Sequence, residues 1–312
     1  MTDSHPQDQA AALMSIGAVV TELRRTYPDV THSSLRFLER EGLVHATRTP
    51  GGHRLYTMGD VERIRQIKLW QLQRLSLQEI HERLIHLDSL PATSKLTEEF
   101  LMHALAGNVQ QAYRSVIAAA DVGLSLEMVF AEVLDPALRR VGDAWEQGDL
   151  LVAQEKEISE LSRELITELT LRHLSPVVGT SIVAACVEGE KHELGLRMIC
   201  GLLRARGFGV HFLGADVAPR FLLEATKLHR PAAVLLSAMM TEQLPAVEDA
   251  IRQLVSRGTV AAPIVIVGGQ IAAHHADAIR AFGAIPLADS NLTSALTMMI
   301  SLLPPAFESP GS

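Results

Sequence analysis

The chain has 312 residues, 47% of them apolar, and a formal net charge of -8. That length exceeds one ordinary domain, and the apolar share is enough for two or three packed cores. No run approaches the roughly 18 consecutive apolar residues that a membrane span needs, and the opening Met1-Thr2-Asp3-Ser4-His5-Pro6 lacks a basic-then-apolar targeting segment, so a cytoplasmic protein with no membrane partner is expected. Cys186 and Cys200 are too few for a disulfide scaffold or a cysteine-based zinc cluster and read as two buried thiols.

Charge is unevenly spread. Residues 1–90 balance near zero, yet Arg36, Arg40, Arg48, Arg54, Arg63, Arg65, Lys68 and Arg74 crowd between 36 and 74, and the acidic excess lies further along. A local arginine cluster on an otherwise acidic chain directs the head, and only the head, toward a polyanion. Residues 15–25 and 31–41 read as two short helices, with Thr31 or Ser33 as cap, Gly42 as stop and Pro28 interrupting the pattern between them. Thr49-Pro50-Gly51-Gly52 is a turn signal between short runs ending in Arg54-Leu55-Tyr56, which predicts a hairpin wing. Helical spacing of Val61, Ile64, Ile67 and Trp70, then of Leu77, Ile80, Leu84 and Leu87, predicts helices over 59–75 and 77–90 that close a small core.

Leu35-Arg36-Phe37-Leu38-Glu39-Arg40-Glu41-Gly42-Leu43, Arg48-Thr49-Pro50-Gly51-Gly52-His53-Arg54-Leu55-Tyr56 and Asp60-Val61 resemble the DNA-binding domain of the MerR family over residues 14–88. The resemblance implies double-stranded operator DNA as partner, with Ser34 and Arg36 near bases and Arg54 and Tyr56 near phosphate. Arginine suits both tasks through its forked donors, although each arginine alone is equally compatible with a solvated surface charge. Many MerR proteins pair through a long helix after this domain, whereas here Ser89-Leu90-Pro91-Ala92-Thr93-Ser94 forms a breaker-rich linker. Pairing into a dimer or tetramer is therefore expected from the carboxyl-terminal body.

Between 95 and 174 there is almost no strand-like alternation, and helices over about 95–106, 108–121, 125–146 and 151–174 fit a four-helix bundle. Beyond it, runs near 180–187, 208–213, 232–238, 263–267 and 284–287 alternate with helices, which predicts a flavodoxin-like α/β layout. The expected architecture is thus multidomain, α+β and α/β: a winged helix-turn-helix over 1–90, a helical cap over 95–175 and an α/β domain over 178–305. His211, His274 and His275 lack ligand spacing and read as structural or solvent-facing.

Glu190-Lys191-His192-Glu193-Leu194-Gly195 follows the apolar run Ser181 to Val187 directly, which puts an imidazole at the carboxyl end of a buried strand. Ligands collect at that edge of a parallel sheet. A neutral imidazole is a good ligand for a borderline metal, and a carboxylate two residues earlier can accept its other ring hydrogen, fixing tautomer and basicity. Taken alone, His192 reads better as an ordinary loop histidine. Together with Ser237-Ala238-Met239 and Gly268-Gly269, however, it resembles the cobalamin-binding module that displaces the corrinoid's own base and ligates cobalt with a protein histidine. That resemblance implies Glu190 behind the ligand, Gly195 beside the corrin, and Ser237, Met239, Gly268 and Gly269 along the slot for the nucleotide tail.

The segment Leu134 to Gly148 is similar to the helical cap that precedes many such modules, with Trp145 over the upper face of the corrin unless it is an ordinary core or surface indole. With the head, these features resemble the CarH/LitR family of light-dependent repressors, which use adenosylcobalamin. The family's W-x9-E-H motif is met by Trp145 and Glu155, but Lys156 stands at the histidine position, and Glu146 replaces a second histidine able to bind cobalt after photolysis. The competing readings are a regulator holding another corrinoid, haem or a bilin, a corrinoid methyl carrier, and a ligand-free fold kept for assembly. The expected function is not enzymatic.

Overall fold

The computed structural model describes residues 13–303 except 25, 50, 89–91, 178–179, 256–261 and 289–290, with the His86 side chain also outside the description. Two compact units divide at Leu90 and Pro91. The linker positions 89–91 and the segment after 303 lie outside the described residues. Among the described residues, no helix is long and apolar enough to cross a membrane.

In the first unit, β1 (Met14–Ser15) leads into α1 (Ile16–Arg24) and α2 (His32–Arg40); β2 (Thr47–Arg48) and β3 (Arg54–Tyr56) form the wing, and α3 (Met58–Leu72) and α4 (Leu77–Asp88) close the unit. Thr31 caps α2 through a reciprocal box with Ser34, and Thr57 caps α3 in the same way with Asp60; such caps typically contribute about 1 kcal/mol each. Gly42, at φ 71°, takes the left-handed turn that ends α2. The wing pairs Thr47 with Leu55 and Arg48 with Arg54 across a turn in which Gly52 has φ 77°. An element missing from the sequence reading is β1, which adds an antiparallel strand to β3. Leu23, Leu35, Leu38, Tyr56, Ile64, Trp70 and Ile80 meet in one buried core.

The second unit begins with α5 (Thr93–Leu105), α6 (Val109–Val122) and a long third helix made of α7 (Leu126–Met128), a π-helical stretch Val129–Leu134 and α8 (Asp135–Glu146), followed by α9 (Val152–Arg172). The helix expected from 95 starts at Thr93, whose hydroxyl donates to Glu132 Oε2 at 2.7 Å and so ties the first turn to the third helix. The π-helical stretch buries Phe130, Val133 and Leu134.

The α/β part runs β4 (Ser181–Cys186), α10 (Leu194–Ala205), β5 (Gly209–Phe212), α11 (Pro219–His229), β6 (Ala233–Ser237), α12 (Leu244–Val255), β7 (Ile264–Gly268), α13 (Gln270–His274), α14 (Ala276–Ala281), β8 (Ile285–Pro286) and α15 (Leu292–Leu302). The five strands are parallel, in the order β5-β4-β6-β7-β8. Because helices cover both faces, the central strands are continuous apolar runs, and β6 is buried along its whole length. The bundle and sheet meet across α9 and α10. Helix α10 approaches the bundle so closely at Gly201 that an added Cβ would lie 2.4 Å from Thr170 Oγ1 and 3.2 Å from Phe130.

Candidate cofactor site and nucleic-acid interface

Three adjacent strands end side by side. Cys186 of β4 pairs in register with Ser237 of β6, and Ser237 with Gly268 of β7. The strand order, which places β6 between β4 and β7, therefore gathers segments far apart in the sequence onto one edge, with neighbouring chains about 4.8 Å apart. Cys186 and Cys200 are buried free thiols, both pushed up to about 12 by burial, and are inert at neutral pH.

His192 stands on the turn after β4. Its Nδ1 lies 2.6 Å from Glu190 Oε1, which also accepts the His192 amide at 2.6 Å, while Glu190 Oε2 accepts the Met239 amide at 2.7 Å. Glu190 is completely buried, whereas the His192 side chain is 67% exposed. Burial raises the carboxyl's proton affinity, but the hydrogen bonds from the His192 ring and amide and from Met239 outweigh it and hold Glu190 below its ordinary value. The same hydrogen bond raises His192 against the opposing effect of partial burial. With Nδ1–H donated to the carboxylate, the lone pair of the neutral ring is left on the exposed Nε2, for which the described residues provide no hydrogen-bond partner.

The glycines around the edge divide into two kinds. A Cβ on Gly269, where φ is 88°, would lie 2.0 Å from the Ala238 carbonyl oxygen, so this glycine is demanded by the fold itself. At Gly195 and Gly268 an added Cβ would meet nothing within 4 Å. Small residues beside open space, next to an outward imidazole, fit a flat ligand that closes against backbone. Among the described residues no three His, Cys, Asp or Glu side chains converge as a metal cage.

Above the turn, the first residues of α9 bring Glu155 close enough for its charge to raise the proton affinity of His192, and Lys156 close enough to lower it. Glu155 accepts from Ser159 Oγ at 2.8 Å and pairs with Lys156 Nζ at 3.1 Å. Trp145, at the end of α8, is 48% exposed, and the short link through Gly148 puts it at the same end of the bundle as Glu155. Ser237 is buried and Met239 half-buried.

Several supports have no sequence signal of their own. Glu193, beside the ligand candidate, accepts from Arg163 Nε of α9 at 2.8 Å and from Arg197 Nη2 at 3.0 Å, which ties the bundle to the His192 turn. Asp216 and Gln243 hold the same turn through the Gly189 amide and carbonyl. His211 stacks on His229 with ring centroids 3.6 Å apart, and His275 contacts Thr241, so both are occupied locally.

In the head, Arg36 projects from α2 as an exposed side chain. Ser34 is half-buried; its hydroxyl accepts from the Thr31 amide at 2.8 Å and donates to the Thr31 carbonyl at 2.9 Å. Arg54 Nε donates to Glu39 Oε2 at 2.5 Å and Arg48 to Glu39 Oε1 at 3.3 Å, so α2 grips the wing and the Arg54 hydrogen bond holds Glu39 below its ordinary value. Tyr56 corrects an expectation: it has no exposed surface, its ring belongs to the core, and its buried hydroxyl finds no partner among the described residues. In this conformation it is closed to phosphate, because the alternation along β3 turns it inward beneath α3.

Residues 14–86 match the MerR HTH family regulatory proteins, and residues 96–170 and 180–288 match two families each described as a B12 binding domain. The HTH-type transcriptional repressor CarH of Myxococcus xanthus is 31% identical over 255 residues, covering 76% of this chain and 83% of that protein. CarA of the same organism, also an HTH-type transcriptional repressor, is 31% identical over 82% of this chain and 88% of its own. Monomethylamine corrinoid protein 1 of Methanosarcina acetivorans is 29% identical over 51% of this chain and 75% of its own length. The solved monomethylamine corrinoid protein of Methanosarcina barkeri superposes with a TM-score of 0.58 at 20% identity, covering 68% of this chain and all of that one, which establishes the fold of the body. With a MerR head, two matches to B12-binding domains and repressor relatives aligned over most of both lengths, the chain belongs to the CarH/CarA family of transcriptional repressors.

Proposed function

We propose that this protein is a DNA-binding transcriptional repressor whose body holds cobalamin through His192, and that the cofactor governs how its chains assemble and how tightly they hold an operator. The domains are a head over 1–90, a cap over 95–175 and a cofactor domain over 178–305. It acts in the cytoplasm as a regulator and not as an enzyme. The observation that carries this reading is the buried Glu190 carboxylate beneath His192, which fixes Nδ1 as a donor and leaves Nε2 as the outward ligand.

Cobalamin held by His192 would supply a cobalt ion and, in its adenosyl form, a light-sensitive cobalt–carbon bond. The chain's own residues do the rest. Gly195 leaves the ring room to approach backbone, Ser237, Met239, Gly268 and Gly269 line the edge for the nucleotide tail, and Trp145 and Glu155 shield the upper side. Lys156 stands beside them, paired with Glu155. Adenosyl is the form we propose, and identification of the pigment extracted from purified protein separates it from hydroxo- or methylcobalamin, haem and bilin. In the head, Ser34 and Arg36 face bases and Arg54 faces phosphate.

Assembly of dimers or tetramers through the body would array several heads, so that loss of assembly weakens operator binding without any change in the reading helix. The test is operator binding and particle size of the adenosylcobalamin-loaded protein in darkness and after green light. Release of DNA with a smaller particle supports the light-sensing reading. Equal binding and size remove it while leaving a cobalamin-bound repressor. The likeness of the body to corrinoid proteins favours methyl carriage as a second reading; the head, which has no use in that chemistry, weighs against it.

A further inference from the structure

The turn that presents His192 is braced from two sides by residues outside the ligand pattern. Three residues other than glycine have left-handed backbone among the described residues: Arg74, Asp216 and Arg230. Arg74 and Arg230 follow the ends of α3 and α11, where that conformation is ordinary. Asp216, at φ 55°, lies in the loop after β5. Such a conformation is costly for a residue with a side chain and persists where its contacts over-determine it.

Those contacts go to the ligand turn and to the end of the strand before it. The Asp216 amide donates to the Glu190 carbonyl at 2.8 Å, its Oδ1 accepts from the Gly189 amide at 2.7 Å, and the next residue, Val217, donates to the Cys186 carbonyl at 3.0 Å. From the opposite side, Gln243 Nε2 donates to the Gly189 carbonyl at 3.2 Å, while its Oε1 accepts from the amides of Met239 and Met240 at 3.0 Å each. Both polar backbone groups of Gly189 are thereby taken, and Gln243 ties the β4 turn to the same Met239 amide that donates to Glu190. Loops after three different strands are locked together behind one imidazole.

We propose that Asp216 and Gln243 are positioning residues that keep the Gly189–His192 turn in its ligand-presenting form before any cofactor arrives. This rests on the reading of His192 as the axial ligand. Fixing a ligand before binding removes an ordering cost from association, and loss of partners outside the metal's own shell typically lowers metal affinity about 10–100-fold.

The test uses the full chain with three replacements. Asp216→Asn keeps a side-chain acceptor and tolerates the left-handed backbone; Asp216→Gly relieves the backbone but loses the acceptor; Gln243→Met keeps length and loses both polar ends. Amide hydrogen exchange over residues 187–193 is measured in the cofactor-free protein, and aquacobalamin binding is followed by absorption. The expected result is faster exchange confined to this turn and an affinity loss of about 10–100-fold for Asp216→Gly and Gln243→Met, with Asp216→Asn behaving as the parent. Parental exchange and affinity in both damaging variants, or equal damage in Asp216→Asn and Asp216→Gly, would overturn the proposal. If the parent itself binds no aquacobalamin, the His192 reading fails, and the exchange comparison still decides whether the brace exists.

Discussion

The Glu190–His192 contact can be broken in two graded ways. Glu190 is completely buried, and its two oxygens accept three donors at 2.6 to 2.7 Å. In Glu190→Gln one oxygen must become an amide donor. Turned toward His192, that donor would oppose the His192 amide and force the ring hydrogen onto Nε2, where it blocks ligation. Turned toward Met239, it opposes a single amide that still has Gln243 Oε1 at 3.0 Å. The second orientation wins, so the ligating tautomer survives and only charge assistance is lost, about 1.5 kcal/mol or roughly tenfold in cobalamin affinity. Glu190→Ala removes the acceptor altogether, frees the tautomer, and is expected to cost about 10–100-fold. Absorption titrations with aquacobalamin give the affinities, and nitrogen chemical shifts of the His192 ring in the cofactor-free protein report the tautomer. Parental affinity in Glu190→Ala would refute the reasoning, because no other described group holds Nδ1.

The remaining predictions concern backbone, pH and DNA. Gly269→Ala must displace the Ala238 backbone and is expected to destabilise the protein by about 3 kcal/mol or more, whereas Gly268→Ala fills open space, changes cofactor-free stability by within about 0.5 kcal/mol, and weakens cobalamin binding; chemical denaturation with and without cofactor separates the two. Because His192 is raised above 6.5, its contribution to cofactor-free stability is complete below that value and fades as pH rises through the raised one; Glu190, lowered from 4.5, contributes above 4.5 and fades as pH falls through the lowered one. The pair therefore stabilises most in the window between, and the stability difference between parent and Glu190→Gln should peak there in denaturant titrations across pH. Arg36→Ala should weaken operator binding by about 1–3 kcal/mol with loss of discrimination at one base pair if Arg36 reads a base; a uniform loss with a salt slope smaller by about 1 would assign it to phosphate instead.

What could be read in advance depended on how local the cause was. Helix ends set by a side chain a few residues away, such as Thr31 with Ser34, are visible in sequence, as are apolar runs long enough for β4, β6 and β7. The Glu190–His192 contact spans two residues and needs only a tight turn, so its chemistry was legible too. The inward turn of Tyr56 was not, because β3 is three residues long and too short for its alternation to declare a face. The Asp216 and Gln243 brace depends on strand order and register, which bring loops after β5 and β6 to the end of β4; no spacing in the chain announces that. The Arg163–Glu193 pair likewise requires knowing that α9 packs on α10, and a single charge on a long amphipathic helix looks like any solvated one.

The proposed function rests on a bond between the His192 imidazole and cobalt. Cobalamin reduced to the cobalt(II) state on the protein has an unpaired electron that couples to its axial nitrogen, so electron paramagnetic resonance with 14N- and 15N-histidine-labelled protein reads that nitrogen's origin. A superhyperfine pattern that changes from triplet to doublet on labelling, with that response to the label lost in His192→Ala, is the result expected here. A pattern indifferent to the label, or a label response that persists in His192→Ala, would show that cobalt keeps its own base or another ligand and that His192 does not hold it.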